Sequence, residues 1–160
     1  MLKQSREGMS CTLDSISHSP AQTQRLGMRL GELLRGGELI LLNGQLGTGK
    51  TTFTQGLARG MSISEYINSP TFTLLKEYAG QLESQPGPAL YHFDLYRLDD
   101  PEEIFALGFE EYFTADGVCV VEWAEKADLY WPTEHLDIRL KMLSETKRGL
   151  LFMAAGPRYC

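Results

Sequence analysis

One glycine-rich stretch of this sequence has the residue types and spacing to bind phosphate. Residues 44–51, Gly-Gln-Leu-Gly-Thr-Gly-Lys-Thr, match the pattern G-x-x-x-x-G-K-[ST] at every defined position. Glycines let backbone N–H groups turn inward around an anion, and a helix starting near Gly49 would point its free N–H groups at the same place. Lys50 supplies a mobile positive charge and Thr51 a hydroxyl for Mg²⁺. The stretch therefore predicts a phosphate-binding loop.

We expect this loop to bind ATP together with Mg²⁺. The residues expected to contact the nucleotide are Gly44, Gly47, Thr48, Gly49, Lys50, Thr51 and Thr52. Residues 125–128, Glu-Lys-Ala-Asp, partly match the Asn-Lys-x-Asp guanine reader of GTPases, but Glu125 stands where that motif has Asn. These four residues are better explained as a solvated helix start, so we expect ATP to be preferred over GTP.

Two acidic residues, Asp94 and Glu122, each lie near the end of an apolar stretch that predicts a strand. Ligands of open α/β sheets bind beyond the carboxyl ends of the strands, and a phosphate-binding loop needs a nearby carboxylate to manage its metal. Asp94 and Glu122 are therefore the candidate catalytic acids. Residues 69–71, Ser-Pro-Thr, lie where switch-type NTPases carry a γ-phosphate sensor, although from spacing alone a plain turn explains them better.

Predicted strands and helices alternate early in the chain and end in a hairpin. The predicted strands are residues 11–17, 39–42, 71–78, 90–96, 118–123, 136–142 and 150–155. Predicted helices start at the Ser19-Pro20 pair, near Lys50 and at Pro101, and a loop spans residues 79–88. This order predicts an α/β fold: a P-loop NTPase-like three-layer sandwich with a mixed, centrally parallel sheet and a C-terminal antiparallel hairpin.

Composition limits the protein's class and surroundings. The 160 residues and 42% apolar content suit a single domain, which we place at residues 15–156 after a flexible N-terminal segment, residues 1–14. The net charge of −6 argues against strong direct nucleic-acid binding. The sequence shows neither a membrane span nor a signal peptide, which suggests a cytoplasmic protein. The three cysteines, Cys11, Cys119 and Cys160, are far apart, and we expect reduced thiols with Cys119 in a core strand.

The ordered set of motifs resembles the TsaE family, the bacterial ATPase component of tRNA threonylcarbamoyladenosine (t6A) biosynthesis. The matching strings are LNGQLGTGKTTF, NSPTFTL, YHFDLYRL, DPEEI, LGFEEYF and VCVVEWAEKA, and the resemblance covers about residues 19–155. It implies an ATPase that works with TsaD-like and TsaB-like partners and resets the threonylcarbamoyl-transferring complex between rounds. We expect the isolated chain to be a monomer.

The resemblance also implies a role for individual residues. Lys50 and Thr51 match the family's phosphate and Mg²⁺ residues, and Glu122 matches a second Mg²⁺ ligand. Asp94 matches a Walker-B-like acid. Because the extra methylene of Glu122 gives it the longer reach from a strand end, we expect Asp94 to lie in the outer shell of the metal or to position the attacking water. Thr71 matches a switch-like segment and Trp123 an adjoining functional residue.

Two other functions remain open from the sequence. One is a small-molecule or nucleotide kinase, but the lid-like loop at residues 79–88 has no Arg or Lys to close over phosphates. The other is an ATP-dependent switch with negligible turnover. Lys147 and Arg148 match the family only loosely and receive no role.

Overall fold

The computed structural model describes residues 10–70, 73–82 and 85–160. Its strands are β1 Ser10–Ser17, β2 Leu39–Asn43, β3 Leu75–Tyr78, β4 Gln81–Leu82, β5 Gln85–Pro86, β6 Leu90–Asp94, β7 Val118–Glu122, β8 His135–Met142 and β9 Arg148–Ala155. The α-helices are α1 Pro20–Leu33, α2 Lys50–Gly60, α3 Glu103–Ala106 and α4 Phe109–Thr114, and a 3₁₀ helix spans Ala124–Tyr130.

Seven of these strands form one mixed sheet in the order β1-β9-β8-β2-β7-β6-β3. The four central strands, β8, β2, β7 and β6, run parallel to their neighbours within this group. Strands β1, β9 and β3 join antiparallel, and β8 and β9 form the C-terminal hairpin. The predicted mixed, centrally parallel sheet is confirmed, and parallel pairing brings the carboxyl ends of β2, β6 and β7 to one edge.

Two apolar clusters lie on opposite faces of the sheet and give the molecule three layers. The side chains of Ile40 and Leu42 face helices α1 and α2. They pack in one apolar cluster with Phe53 and Leu57 of α2. On the other face, Leu39 and Leu41 pack in a second cluster with Phe109 of α4. The alternation along β2 follows from the period of two in a strand, and burial of both faces explains why this strand is apolar throughout.

Helix α1 begins and ends close to the positions that the sequence predicts. The Ser19 hydroxyl accepts a hydrogen bond from the Gln22 backbone N–H at 3.1 Å, and Pro20 occupies the first turn. Helix α2 packs closely on α1 through glycines of both helices. A Cβ on Gly56 would lie 1.9 Å from the Gln24 carbonyl oxygen, so only glycine permits this approach. Contact with α1 thus fixes the position of the helix that follows the glycine-rich loop.

Three sequence predictions need correction. The single helix predicted from Pro101 to about residue 113 is two short helices, because Gly108 adopts a left-handed conformation with φ of 73° between them. Strand β1 starts at Ser10, inside the segment predicted to be flexible, and its residues pair with β9. The division into one domain stays a prediction, and residues 1–9 lie outside the described part of the chain.

The third correction concerns the cysteines. A disulfide joins Cys11 to Cys160, with the two Cα atoms 5.7 Å apart, where the sequence predicted reduced thiols. Spacing along the chain misled the prediction, because pairing of β1 with β9 brings the start of the sheet beside the C-terminus. Cys119 is free and buried in β7, as expected. Among the described helices, none combines the length and apolar character needed to cross a bilayer.

Candidate functional site

The glycine-rich loop connects the carboxyl end of β2 to the first turn of α2. Gly49, immediately before α2, has a φ of 101°, which L side chains rarely adopt. Gly44 lies so close to β8 that an added Cβ would be 2.6 Å from the Leu140 carbonyl oxygen. The buried Thr48 hydroxyl donates to the Gln45 carbonyl at 2.8 Å, and this hydrogen bond stabilises the turn of the loop.

Lys50 lies inside this loop rather than in solvent, and the residue is only 5% exposed. Its ammonium donates to the Gly44 carbonyl at 2.6 Å and to the Gln45 carbonyl at 3.0 Å. Burial lowers the pKa of the Lys50 ammonium. The negative charges of Glu122, Glu125 and Asp94 act in the opposite direction and favour the charged form. The buried cation suits an anionic ligand, and the surrounding acids suit a metal ion that arrives with that ligand.

Thr51 and Glu122 face each other across the gap between α2 and β7. The Thr51 hydroxyl donates to one carboxylate oxygen of Glu122, Oε1, at 3.0 Å. The other oxygen, Oε2, lies 2.6 Å from Nε2 of His92 on β6. Glu122 is 2% exposed, so its charge is almost removed from water. Hydroxyl and carboxylate oxygens are hard ligands of the kind that Mg²⁺ prefers.

Asp94 is the neighbour of Glu122 in the pairing of β6 with β7. Its Oδ1 accepts the Tyr96 backbone N–H at 2.8 Å, and its Oδ2 accepts a hydrogen bond from the Ser69 hydroxyl. The second bond ties Asp94 to the segment after α2 in which the family resemblance implies a switch. Thr71, the predicted switch residue, lies outside the described residues.

Trp123 covers the buried lysine. Its backbone is in the left-handed region, with φ of 58°, at the junction between β7 and the 3₁₀ helix. The ring lies under the Lys50 ammonium, with 4.0 Å between Nζ and the ring centroid, and packs against Tyr96 at 5.1 Å between centroids. This arrangement shields Lys50 from bulk water on the side of the ring.

A cavity of about 430 Å³ brings these groups together. The predicted site residues that line it are Gly47, Gly49, Lys50, Thr51, Thr52, Asp94, Glu122 and Trp123. Gly44 contributes a carbonyl to Lys50, and Thr48 supports the loop from behind. A second cavity of about 100 Å³ shares Gly47, Gly49 and Thr52 with the first and lies against the start of α1 and the β8–β9 hairpin.

Three residues at the site were missed or left without a role. His92 contacts Glu122, although the histidines show no ligand-like spacing. Arg148 donates to the Gly47 carbonyl at 3.3 Å from the hairpin. Glu125 is exposed overall, yet its backbone N–H donates to the Asn43 side chain at 2.9 Å, and partial shielding from water raises the pKa of its carboxyl. The signal for His92 is its position two residues before Asp94, on the same face of the strand.

A strand, glycine loop and helix that cradle a buried lysine, beside an acid from a neighbouring parallel strand, define a P-loop NTPase-like α/β protein. The family model for "Threonylcarbamoyl adenosine biosynthesis protein TsaE" matches residues 17–150. The chain therefore belongs to the TsaE family, whose described role is in t6A biosynthesis.

Individual relatives agree with this membership. The "tRNA threonylcarbamoyladenosine biosynthesis protein TsaE" of Bacillus subtilis (strain 168) is 40% identical over 141 residues, covering 88% of this chain and 85% of the relative. The protein of the same name from Treponema pallidum (strain Nichols) is 42% identical over 135 residues, covering 84% and 96% respectively. The crystal structure of Bacillus subtilis YdiB superimposes with a TM-score of 0.78 at 34% identity, over 96% of this chain and 92% of that one.

Proposed function

We propose that this protein binds ATP with Mg²⁺ and hydrolyses it as the ATPase component of the t6A machinery. Family membership supports the pathway. The observation that carries the nucleotide assignment is the hydrogen bond of 3.0 Å between Thr51 and Glu122, beside a buried Lys50 at the start of α2. This combination of a phosphate-binding cation with a hydroxyl and a carboxylate is the set of groups that Mg²⁺-nucleotide sites use.

The residues present fit a magnesium ion that is shared with a nucleotide. Within the described ranges, no group of three or more His, Cys, Asp or Glu side chains could enclose a metal ion by itself. Mg²⁺ usually takes one or two protein ligands and completes its shell with phosphate oxygens and water. Thr51 and Glu122 would hold it, and Mg²⁺ would neutralise charge that develops on the transferred phosphoryl group.

Each site residue then has a distinct task. The loop N–H groups and the N-terminus of α2 bind and orient the phosphates, and Lys50 moves from the loop carbonyls to the outer phosphates. Asp94, held by Ser69 and by the Tyr96 N–H, positions the attacking water, and Thr71 senses the γ-phosphate. Trp123 excludes bulk water from the side of Lys50 that faces its ring, which strengthens the electrostatic contacts within the site.

We propose that the adenosine end of the nucleotide leaves the phosphate loop on the side of the second cavity. Gly49 and Thr52 line both cavities, so a nucleotide with its phosphates near Lys50 would extend past them toward that side. Arg148 and Thr146 of the hairpin line the far side of the second cavity. We expect ATP to be preferred over GTP, since residues 125–128 lack the Asn of the guanine reader.

The partners follow from the pathway and from the charge. A TsaD-like and a TsaB-like protein would carry the transfer chemistry and the tRNA contacts, in the cytoplasm, where tRNA is modified. With a net charge of −6, this chain would bind tRNA only weakly by itself and would be a monomer when isolated. Nucleotide turnover would reset the partner complex between rounds of transfer.

Phosphate release by the purified chain, alone and with its TsaD-like and TsaB-like partners, tests the proposal. We expect Mg²⁺-dependent ATP hydrolysis that rises when the partners are added and that is lost in Lys50→Ala. Lys141→Ala, which removes an exposed lysine of β8, is the matched control and should behave as the parent does. ATP binding without release under any condition would favour the switch, and tight, salt-sensitive tRNA binding by the chain alone would contradict the assigned partners.

A further inference from the structure

His92 is a buried histidine whose polar contact points at the candidate metal ligand. The residue lies on β6 and is 0% exposed. Its Nε2 lies 2.6 Å from Oε2 of Glu122, and its Nδ1 has no hydrogen-bond partner within the described part of the chain. An imidazole buried with one ring nitrogen unpartnered costs free energy that an apolar side chain at this position would avoid.

The register of the sheet explains how the two side chains meet. His92 pairs with Val120 of β7, and the next residue on the same face of β7 is Glu122. The same face carries Leu90, Val118 and Val120 in the apolar cluster under α1 and α2. The imidazole therefore lies beneath the carboxylate, on the side away from Thr51, with apolar side chains around it.

Donor and acceptor roles follow from the partners. A carboxylate only accepts, so the proton of this hydrogen bond is on Nε2 of His92. Oε1 of Glu122 accepts from the Thr51 hydroxyl, so both carboxylate oxygens are held from different directions. Rotation of the Glu122 side chain would break both bonds, and this fixes the plane in which Oε1 is presented beside Thr51.

We infer that His92 is a positioning residue, which orients Glu122 for Mg²⁺ by donating from Nε2 to Oε2. This inference rests on the proposed Mg²⁺-nucleotide site. When a residue that hydrogen-bonds a metal ligand from behind is removed, metal affinity falls by about 10- to 100-fold. His92 is 0% exposed and does not line the candidate cavity, so its loss should change the Mg²⁺ requirement while leaving metal-free ATP affinity almost unchanged.

The test measures binding of a fluorescent ATP analogue as a function of Mg²⁺ concentration, and again in EDTA, on protein shown to be folded by circular dichroism. In His92→Asn the shorter amide does not reach Glu122, whereas in His92→Gln the amide N–H₂ can replace Nε2–H. We expect the Mg²⁺ midpoint to rise by about 10- to 100-fold in His92→Asn and to return to within about threefold of the parent in His92→Gln. Tyr78→Phe removes a buried hydroxyl that lacks a described partner, and it serves as the matched control.

Three results would overturn the inference. One is a parent-like Mg²⁺ midpoint in folded His92→Asn. Another is an equal rise in His92→Asn and His92→Gln, because ring packing rather than the donated proton would then matter. The third is a loss of ATP affinity in EDTA that matches the loss with Mg²⁺. A parent protein without Mg²⁺-dependent ATP binding would instead refute the proposed function, and the inference with it.

Discussion

Replacing the Glu122 carboxylate by an amide should separate metal binding from nucleotide binding. Glu122→Gln keeps the shape of the side chain and removes the negative charge of a residue that is only 2% exposed. Contacts of a charged group are each worth about 1.5–3 kcal/mol. About 1.4 kcal/mol corresponds to a tenfold change in an equilibrium constant, so the Mg²⁺ midpoint for ATP binding should rise by about 10- to 150-fold.

Affinity for ATP without metal should change in the other direction or not at all. Glu122 and Asp94 are neighbouring acids near the phosphate cradle, and both repel a bare polyphosphate. Removing the charge of Glu122 lessens that repulsion, so ATP in EDTA should bind Glu122→Gln at least as tightly as the parent. A loss of ATP affinity with Mg²⁺ and none without it distinguishes a metal ligand from a residue that only supports the fold.

Asp94→Asn is the companion variant, because Asp94 differs from Glu122 in what holds it. The Asn side chain can still accept the Tyr96 N–H, so ATP binding and its Mg²⁺ midpoint should stay within about threefold of the parent. Turnover should fall more than binding does, since the acid that positions water is neutralised. Glu32→Gln, an exposed acid near the end of α1, is the matched control.

A Mg²⁺ titration of nucleotide binding and of phosphate release, made on the same preparations, tests this division of roles between Glu122 and Asp94. Equal Mg²⁺ midpoints in Glu122→Gln and Asp94→Asn would show that the division of roles between the two acids is wrong. Parent-like turnover in both variants would show that the active site has been placed in the wrong cavity.

Three further predictions concern the loop, the helix pair and the core. Lys50→Met should weaken Mg²⁺-ATP binding by about 10- to 150-fold in calorimetry with the melting temperature nearly unchanged, because one charged contact worth about 1.5–3 kcal/mol is lost. Gly56→Ala should lower the free energy of unfolding in urea by about 1–3 kcal/mol, because the added Cβ would lie 1.9 Å from the α1 backbone. Gly149→Ala is the control and should be tolerated, because a Cβ there would have no neighbour closer than 3.6 Å. Burial raises the pKa of Cys119 from 9.0 to about 12, so the stability linked to its neutral thiol is intact below pH 9.0 and lost as pH rises toward 12. Above pH 9, the melting temperature of Cys119→Ala should therefore fall less steeply with pH than that of the parent protein.

Local patterns in the sequence were sufficient to predict the loop and the sheet. Residues 44–51 contain every group of the cradle within a short span, so no knowledge of distant contacts was needed. Asp94 and Glu122 follow apolar strands, and parallel pairing brings the ends of β6 and β7 together. The rule that ligands bind beyond the carboxyl ends of strands therefore located both acids.

Contacts between residues far apart in the sequence could not be predicted in this way. The bond from His92 to Glu122 depends on the register of β6 against β7, which a single sequence does not specify. The disulfide between Cys11 and Cys160 depends on β1 pairing with β9 across nearly the whole chain. Arg148 approaches Gly47 only because the hairpin folds back over the loop.

Different side-chain partners, rather than different positions in the sheet, distinguish the two acids. Asp94 and Glu122 lie opposite each other in register, so the backbone alone would make them interchangeable. Glu122 is held between Thr51 of α2 and His92 of β6, and a carboxylate fixed from two sides suits a metal ligand. Asp94 is held by Ser69 in the segment that leads to Thr71, so a movement of that segment would act on Asp94 directly and on Glu122 only indirectly. Under the proposed function, a partner that acts on this segment would therefore change the step that Asp94 serves before it changes Mg²⁺ binding.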